Sequence, residues 1–291
     1  MDLTDLLLLL LIIGALQPAL QRTLLASQRR RALEKLSKQR EATVITLIHR
    51  QETISLLGVP LMRHIDLDDA ESVLQAIRET PAGRPIEIIL HTPGGLVLAA
   101  SQIATALADH DGPVTAVIPH YAMSGGTMIA LAADEIVLDR HAALGPIDPQ
   151  LGHYPAASIL AAVERPGPHQ DETLILGDIA WKALQQVEAF ATRLLERRMS
   201  PARARDAARL LASGTWTHDH PLMSPDLDAL GLSIRIGVPE EERALMRLYP
   251  QPRGRQSAVE YFPGRPTPPG MPPGRERPRP RRPARSPSSE K

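Results

Sequence analysis

The chain has 291 residues, 43% apolar and 23% charged, enough to bury the core of one ordinary-to-large domain or two small ones, and it is not globally disordered. Its 33 Lys and Arg balance 33 Asp and Glu, which argues against nucleic-acid binding driven by overall charge, and 3% aromatic residues argue against a base-stacking platform. With no cysteine, disulfides, thiolate metal sites and a cysteine nucleophile are excluded.

The chain opens on an unbroken apolar run, Leu6–Leu16, extendable from Leu3 to Leu20. A helix of that extended length spans roughly 27 Å, close to the hydrocarbon thickness of a bilayer. No Lys or Arg precedes Leu6, whereas Arg22, Arg29, Arg30, Arg31, Lys35, Lys38 and Arg40 follow it. That asymmetry predicts an uncleaved single-pass anchor over 1–21 in the cell (inner) membrane, with the remainder of the chain cytoplasmic and lipid as a partner. The alternative is an amphipathic or buried helix, but the run has no polar face. Residues 22–42 read as a basic juxtamembrane helix or linker.

Over 43–250 the pattern alternates between strand and helix. Val44–Ile48 is a β-branched run. Asp66–Arg78 is a helix capped by Asp66, with Ala70, Val73, Leu74 and Ile77 at helical spacing. Ile86–Leu90 is a strand, His91-Thr92-Pro93-Gly94-Gly95 a turn, and Leu96–Ala108 a helix. Val114–Ile118 is a strand, followed by Ala122-Met123-Ser124-Gly125-Gly126, the helix Thr127–Ala133 and the strand Ile136–Leu138. This alternation predicts an α/β fold of βαβ units around a largely parallel sheet. A long helix is predicted over Glu172–Arg198, a second from Ser200 through Leu211, and a strand over Ser233–Ile236. Residues 251–291, with ten basic residues, three acidic and eleven prolines, read as a disordered tail.

Each glycine-bearing turn follows a strand and opens a helix, so backbone N–H groups and the positive end of a helix dipole converge there. Neither turn fits G-x-x-x-x-G-K-[ST] or G-x-G-x-x-G, so a nucleotide site is weakly supported. Ser124 sits at the tip of the second turn, beside the N–H of Gly125 and near those of Gly94 and Gly95. A hydroxyl next to such donors has the layout of acyl transfer, in which the donors hold a tetrahedral oxyanion. The competing reading is that Ser124 caps the helix that follows.

These stretches resemble the Clp-protease/crotonase fold, and most closely the serine dehydrogenase proteinase family, membrane-associated relatives of signal peptide peptidase A. The matching segments are His91-Thr92-Pro93-Gly94-Gly95, Tyr121-Ala122-Met123-Ser124-Gly125-Gly126-Thr127, Gly145-Pro146-Ile147-Asp148-Pro149-Gln150 and Thr215-Trp216-Thr217-His218-Asp219. The resemblance covers roughly residues 43–237. It implies a spiral of βαβ units, a peptidase using Ser124 with Gly95 and Gly125 as the oxyanion hole, a peptide or unfolded or membrane protein as substrate, and a homo-oligomer. It implies no cofactor.

The resemblance leaves two kinds of base open. Clp subunits imply a histidine oriented by an aspartate, for which His141 or His153 with Asp148 or Asp178 are candidates. Signal peptide peptidase relatives imply a lysine from a later helix, for which Lys182 is the candidate. Lys182 is the sole lysine between Lys38 and Lys291 in a chain that otherwise uses Arg, and Arg cannot act as a base. The sequence therefore favours a Ser124–Lys182 dyad, with burial expected to lower the lysine's pKa. His218 and His220 lack a two-ligand helical spacing, so no catalytic metal is expected. The rival functions are an acyl-CoA hydratase or isomerase on the same fold, and an inactive membrane scaffold.

Overall fold

The computed structural model describes residues 3–49, 54–56, 59–61 and 64–249; the side chains of 1–16, 18, 19, 22 and 50–63 lie outside that description. Met1–Pro252 form one compact unit, and the segment expected to be a disordered tail lies outside the described residues.

In chain order the elements begin with α1 (Leu3–Arg40), β1 (Thr43–Ile48), the short strands β2 (Ile54–Leu56) and β3 (Val59–Leu61), and α2 (Leu67–Glu79). Next come β4 (Ile86–His91), α3 (Val97–Ala108), β5 (Val114–Ile118), β6 (Tyr121–Ala122), α4 (Gly125–Ala132) and β7 (Glu135–Leu138). The short strands β8 (Ala143–Leu144), β9 (Gln150–Leu151) and β10 (Tyr154–Pro155) lead into α5 (Ala156–Val163), α6 (Asp171–Leu195) and α7 (Pro201–Ala212). The described chain closes with α8 (Ser224–Ala229), β11 (Ile234–Ile236) and α9 (Glu240–Arg247).

Five strands form one all-parallel sheet in the order β1-β4-β5-β7-β11. Spatial order equals chain order, so each crossover moves the chain one place across the sheet. The turns after β4 and β5 therefore emerge at the same, carboxyl edge, where open α/β sheets place their ligands. The pleat divides the side chains between two layers. Ile86, Ile88, Leu90, Ala116, Ile118, Ile136 and Leu138 join the larger core, which includes Ala99, Ala100, Ile103, Ala104 and Leu107 of α3. On the opposite face Ile89, Val117 and Val137 pack under Leu36 of α1 and Leu245 and Met246 of α9. β4 is buried at every position, which explains why it reads as a continuous apolar run interrupted once, at Glu87.

Asp66 caps α2 as the sequence implies, through a reciprocal box in which it and Asp69 each accept the other's backbone N–H. Ser200 occupies the cap position of α7 without a side-chain cap bond. Helices α5, α8 and α9 and the short strands were not legible as periodic segments. Most are too brief to show a period.

The backbone of α1 is one helix from Leu3 to Arg40, but the apolar side chains on which the anchor expectation rests lie outside the described residues. Among the described residues no helix is long and apolar enough to cross a membrane. The carboxyl-terminal part of α1 is fastened to the sheet. Leu36 is buried, Arg29 Nε donates to the Leu248 carbonyl at 2.7 Å, and Arg40 Nη2 meets Glu242 Oε1 at 2.6 Å. Arg40 also lies 3.8 Å from Glu87.

Burial, together with the neighbouring Glu242, pushes the Glu87 carboxyl up to about 7, against the pull of Arg40. A carboxyl that holds its proton more tightly when folded lowers stability as pH rises from its ordinary value near 4.5 toward 7. Glu87→Gln should therefore match the wild type in denaturant midpoint near pH 4. At pH 8 it should exceed the wild type, by on the order of 3 kcal/mol. Parallel unfolding curves at the two pH values check this, and equal midpoints at pH 8 would refute it.

Candidate active site

Ser124 joins β6 to α4 with φ 49° and ψ −116°; among the described residues only Glu41 shares a positive φ without being glycine. A serine held in this sparsely populated region on a strand–turn–helix bend projects its hydroxyl from the end of the sheet. It occupies the cap position of α4, yet its side chain makes no capping hydrogen bond. The hydroxyl is not spent on the helix. Ser124, half-buried, lines a cleft of about 610 Å³ together with Gly95, Gly125, Met128, Asp148 and His218.

Backbone bonds hold the two glycine turns together. The Thr92 N–H donates to the Tyr121 carbonyl at 3.2 Å, and the Met123 N–H donates to the Thr92 carbonyl at 3.0 Å. Gly94, at φ 107°, comes so close to the serine turn that a Cβ on it would lie 2.8 Å from Ser124 Cβ and 2.9 Å from the Met123 carbonyl oxygen. The Ile65 N–H donates to the Gly94 carbonyl at 2.8 Å. In a planar trans peptide the C=O of one residue and the N–H of the next point in opposite directions. The Gly95 N–H is therefore turned away from Ile65, on the side of Gly125, where a Cβ would stand 3.6 Å from Gly95 N. The Gly125 N–H lies in the first turn of α4, where no intrahelical acceptor exists. Gly95 and Gly125 thus lie side by side in the cleft that Ser124 lines.

Asp148, 1% exposed, lies on the segment after β8. Its Oδ1 is 2.9 Å from His218 Nδ1, and its Oδ2 accepts from Gln150 Nε2 at 2.6 Å. A carboxylate can only accept, so the proton sits on His218 Nδ1 and the Nε2 lone pair is left for another donor. The two residues are brought together by tertiary pairing. Leu144 and Leu222 exchange backbone hydrogen bonds at 3.1 and 2.8 Å, and the Ile147 N–H donates to the Leu211 carbonyl at 2.9 Å.

Of the residues the sequence singled out, the cleft gathers Ser124, Gly95, Gly125 and Asp148. Lys182, His141 and His153 are not among its lining. The burial expected of Lys182 is absent: its side chain is 57% exposed on α6, with Nζ 2.6 Å from Asp178 one helical turn away. Asp178 is thereby occupied by Lys182 rather than by a histidine. His141 and His153 lie exposed in the turns after β7 and β9. His218 is the cleft residue that sequence reasoning did not offer as a candidate base, although it stands in the Thr215–Asp219 segment that carried part of the resemblance. Among the described residues no cluster of three or more His, Asp or Glu could hold a metal ion.

A doubly-flanked α/β sheet with a serine on a strained turn, two glycines beside it and a histidine–aspartate pair in one cleft has the make-up of a serine-hydrolase-like class of site. A family model described as the ClpP-like SDH-type serine proteinase matches residues 1–272, and the chain belongs to that family. Two uncharacterised proteins of Methanocaldococcus jannaschii are similar to it, one 49% identical over 248 residues (84% of this chain, 87% of the relative), the other 50% identical over 237 residues (81% of each). The Bacillus subtilis membrane protein NfeD1b matches 96 residues at 29% identity, covering 32% of this chain and 22% of its own. Among solved structures, a ClpP1 mutant from Listeria monocytogenes aligns with 71% of this chain and 98% of its own, at 14% identity and a TM-score of 0.46.

Gly94→Ala should lower stability by about 1–3 kcal/mol more than Gly83→Ala. Both positions have positive φ, but a Cβ at Gly83 meets nothing within 4 Å, so the comparison isolates the clash with the serine turn. Denaturant midpoints of the two variants measure it, and equal losses would show that the turns can separate.

Proposed function

We propose that the protein is a serine endopeptidase in which Ser124 attacks the scissile carbonyl, His218 takes its proton through Nε2, and Asp148 orients His218 and stabilises its charged form. The N–H groups of Gly95 and Gly125 receive the developing oxyanion. The observation that carries this reading is the Asp148–His218 pair at 2.9 Å in the cleft lined by Ser124. Aspartate fixes the tautomer, so the free nitrogen can accept the serine proton and later return it to the leaving amine. Residue order along the chain is Ser, Asp, His, which the geometry of such a triad permits. The Ser124–Lys182 dyad favoured by sequence loses its main support, because Lys182 is exposed, paired with Asp178 and absent from the lining of the cleft.

Next to this cleft an apolar groove of about 630 Å³ shares Val97, Met128, Pro149 and Gln150 with it and adds Val187 and Phe190. It suits an apolar side chain of a peptide substrate. Assembly into a homo-oligomer belongs to the same proposal, on the strength of the family. So does single-pass anchoring through residues 1–21 with the peptidase unit cytoplasmic, supported by the Leu6–Leu16 run and the basic residues after it.

Fluorophosphonate labelling of the detergent-solubilised protein tests the chemistry. Ser124→Ala should not label. His218→Gln and Asp148→Asn should slow labelling by about 10²–10⁴-fold, and Lys182→Ala should stay within about twofold of wild type. Normal labelling of His218→Gln together with loss in Lys182→Ala would restore the lysine. A folded wild type that never labels would favour the acyl-CoA or scaffold readings.

For the anchor, removal of residues 1–21 should move the protein from the membrane pellet to the supernatant with labelling retained. Full-length protein that is already in the supernatant would exclude it.

A further inference from the structure

His49, at the end of β1, is 5% exposed and absent from the cleft, yet both of its ring nitrogens are engaged. Nε2 is 3.0 Å from Asp69 Oδ2 and Nδ1 is 2.8 Å from Thr92 Oγ1, while the His49 N–H donates to the His91 carbonyl at 2.7 Å. Asp69 Oδ2 also accepts the Asp66 N–H, which ties the pair to the cap of α2. Burial pushes the Asp69 carboxyl up, but the bonds from His49 and Asp66 outweigh it and hold the group below its ordinary value. An ionised Asp69 can only accept, so His49 donates from Nε2 and accepts at Nδ1. The Thr92 hydroxyl then has two acceptors in reach, His49 Nδ1 at 2.8 Å and the Gly94 carbonyl at 3.4 Å, and its oxygen accepts the Gly94 N–H at 3.1 Å.

The groups have the make-up of a catalytic triad, hydroxyl–imidazole–carboxylate, but Thr92 is 0% exposed and no substrate carbonyl can reach it. What Thr92 does touch is the machinery. Its backbone joins the two turns, and its hydroxyl grips the amide of Gly94, one peptide before the N–H that faces the oxyanion. Two consecutive glycines leave that peptide free to rotate unless something outside them holds it.

We propose that His49 is a positioning residue: braced by Asp69, it fixes the Thr92 hydroxyl, which with the Ile65 N–H locks the Gly94–Gly95 peptide so that the Gly95 N–H points into the cleft. This rests on the peptidase reading for its consequence, though not for its geometry. Loss of a whole oxyanion donor costs about 10²–10³ in rate, so loosening one should cost about tenfold or more.

The test uses the full-length solubilised protein. Thr92→Val keeps shape and removes the hydroxyl; Thr92→Ser keeps the hydroxyl. Hydrogen exchange over peptides spanning residues 90–96 should be at least tenfold faster in Thr92→Val and near wild type in Thr92→Ser. Fluorophosphonate kinact should fall about tenfold or more in Thr92→Val, with KI within about twofold, and recover in Thr92→Ser. His49→Phe should reproduce the Thr92→Val effect and add nothing to it in the double variant.

Unchanged exchange in Thr92→Val, or a double variant whose losses multiply, overturns the proposal. If His49→Phe does not fold, the Thr92 pair decides alone. A wild type that refuses the probe sinks the peptidase reading, while the exchange rates still decide the relay.

Discussion

The backbone of Thr92 stitches the turn that ends β4 to the turn that carries Ser124, and the separation of those turns sets everything else at the site. Ser124 and Gly125 come from one turn and Gly95 from the other, and all three line one cleft. Parallel β4 and β5, neighbours in the sheet, deliver both turns to one edge. The ladder extends past the strands proper, as Thr92 pairs with Ala122 and Ile65 with Gly95. Side chains at Gly94, Gly95 or Gly126 would wedge this stack apart: a Cβ on Gly95 would run into the backbone of Ile65, and one on Gly126 into Thr92 Cγ2.

Such a turn stores strain, since a serine at positive φ costs about 1–3 kcal/mol. The surrounding packing offsets it. All eight residues of α4 are buried, and α3 faces them with Ala99, Ala100, Ile103 and Ala104 at 0% exposure. Small side chains let the two helices approach closely, so the base of the turn cannot relax without opening the core. The run of alanines and glycines in this part of the sequence is the signature of that close packing.

Much of this was legible in the sequence, and the parts that were not share a cause. Strand and helix periods located the βαβ units, and glycines at the two turns marked where backbone had to approach backbone. Ser124 stood out because its turn follows a strand and opens a helix. Lys182 stood out because it is rare, but rarity carries no information about exposure. A competing signal was present four residues earlier, where Asp178 is placed to pair with it along the helix. His218 had a local signal in the Thr215–Asp219 segment of the resemblance, but nothing there tied it to Asp148. It lies on an irregular segment between α7 and α8, and the Leu144–Leu222 and Ile147–Leu211 hydrogen bonds, invisible to any periodicity, carry it to Asp148. Glu87 was equally silent: a single acid in an apolar strand gives no hint that Arg40 and Glu242 lie over it.

Two histidine–aspartate pairs in one molecule show how far access, rather than residue type, decides a role. His218 has its side chain one-third exposed and lines the same cleft as Ser124. His49 is sealed, and its second nitrogen is taken by a threonine with no path to solvent. In the proposed mechanism the first pair moves a proton during the reaction. In the proposed relay the second only sets a direction, from Asp69 through an imidazole and a hydroxyl to a peptide plane. A site built from backbone donors needs that second kind of pair, because the N–H groups that bind an oxyanion have no side chain of their own to hold them in place.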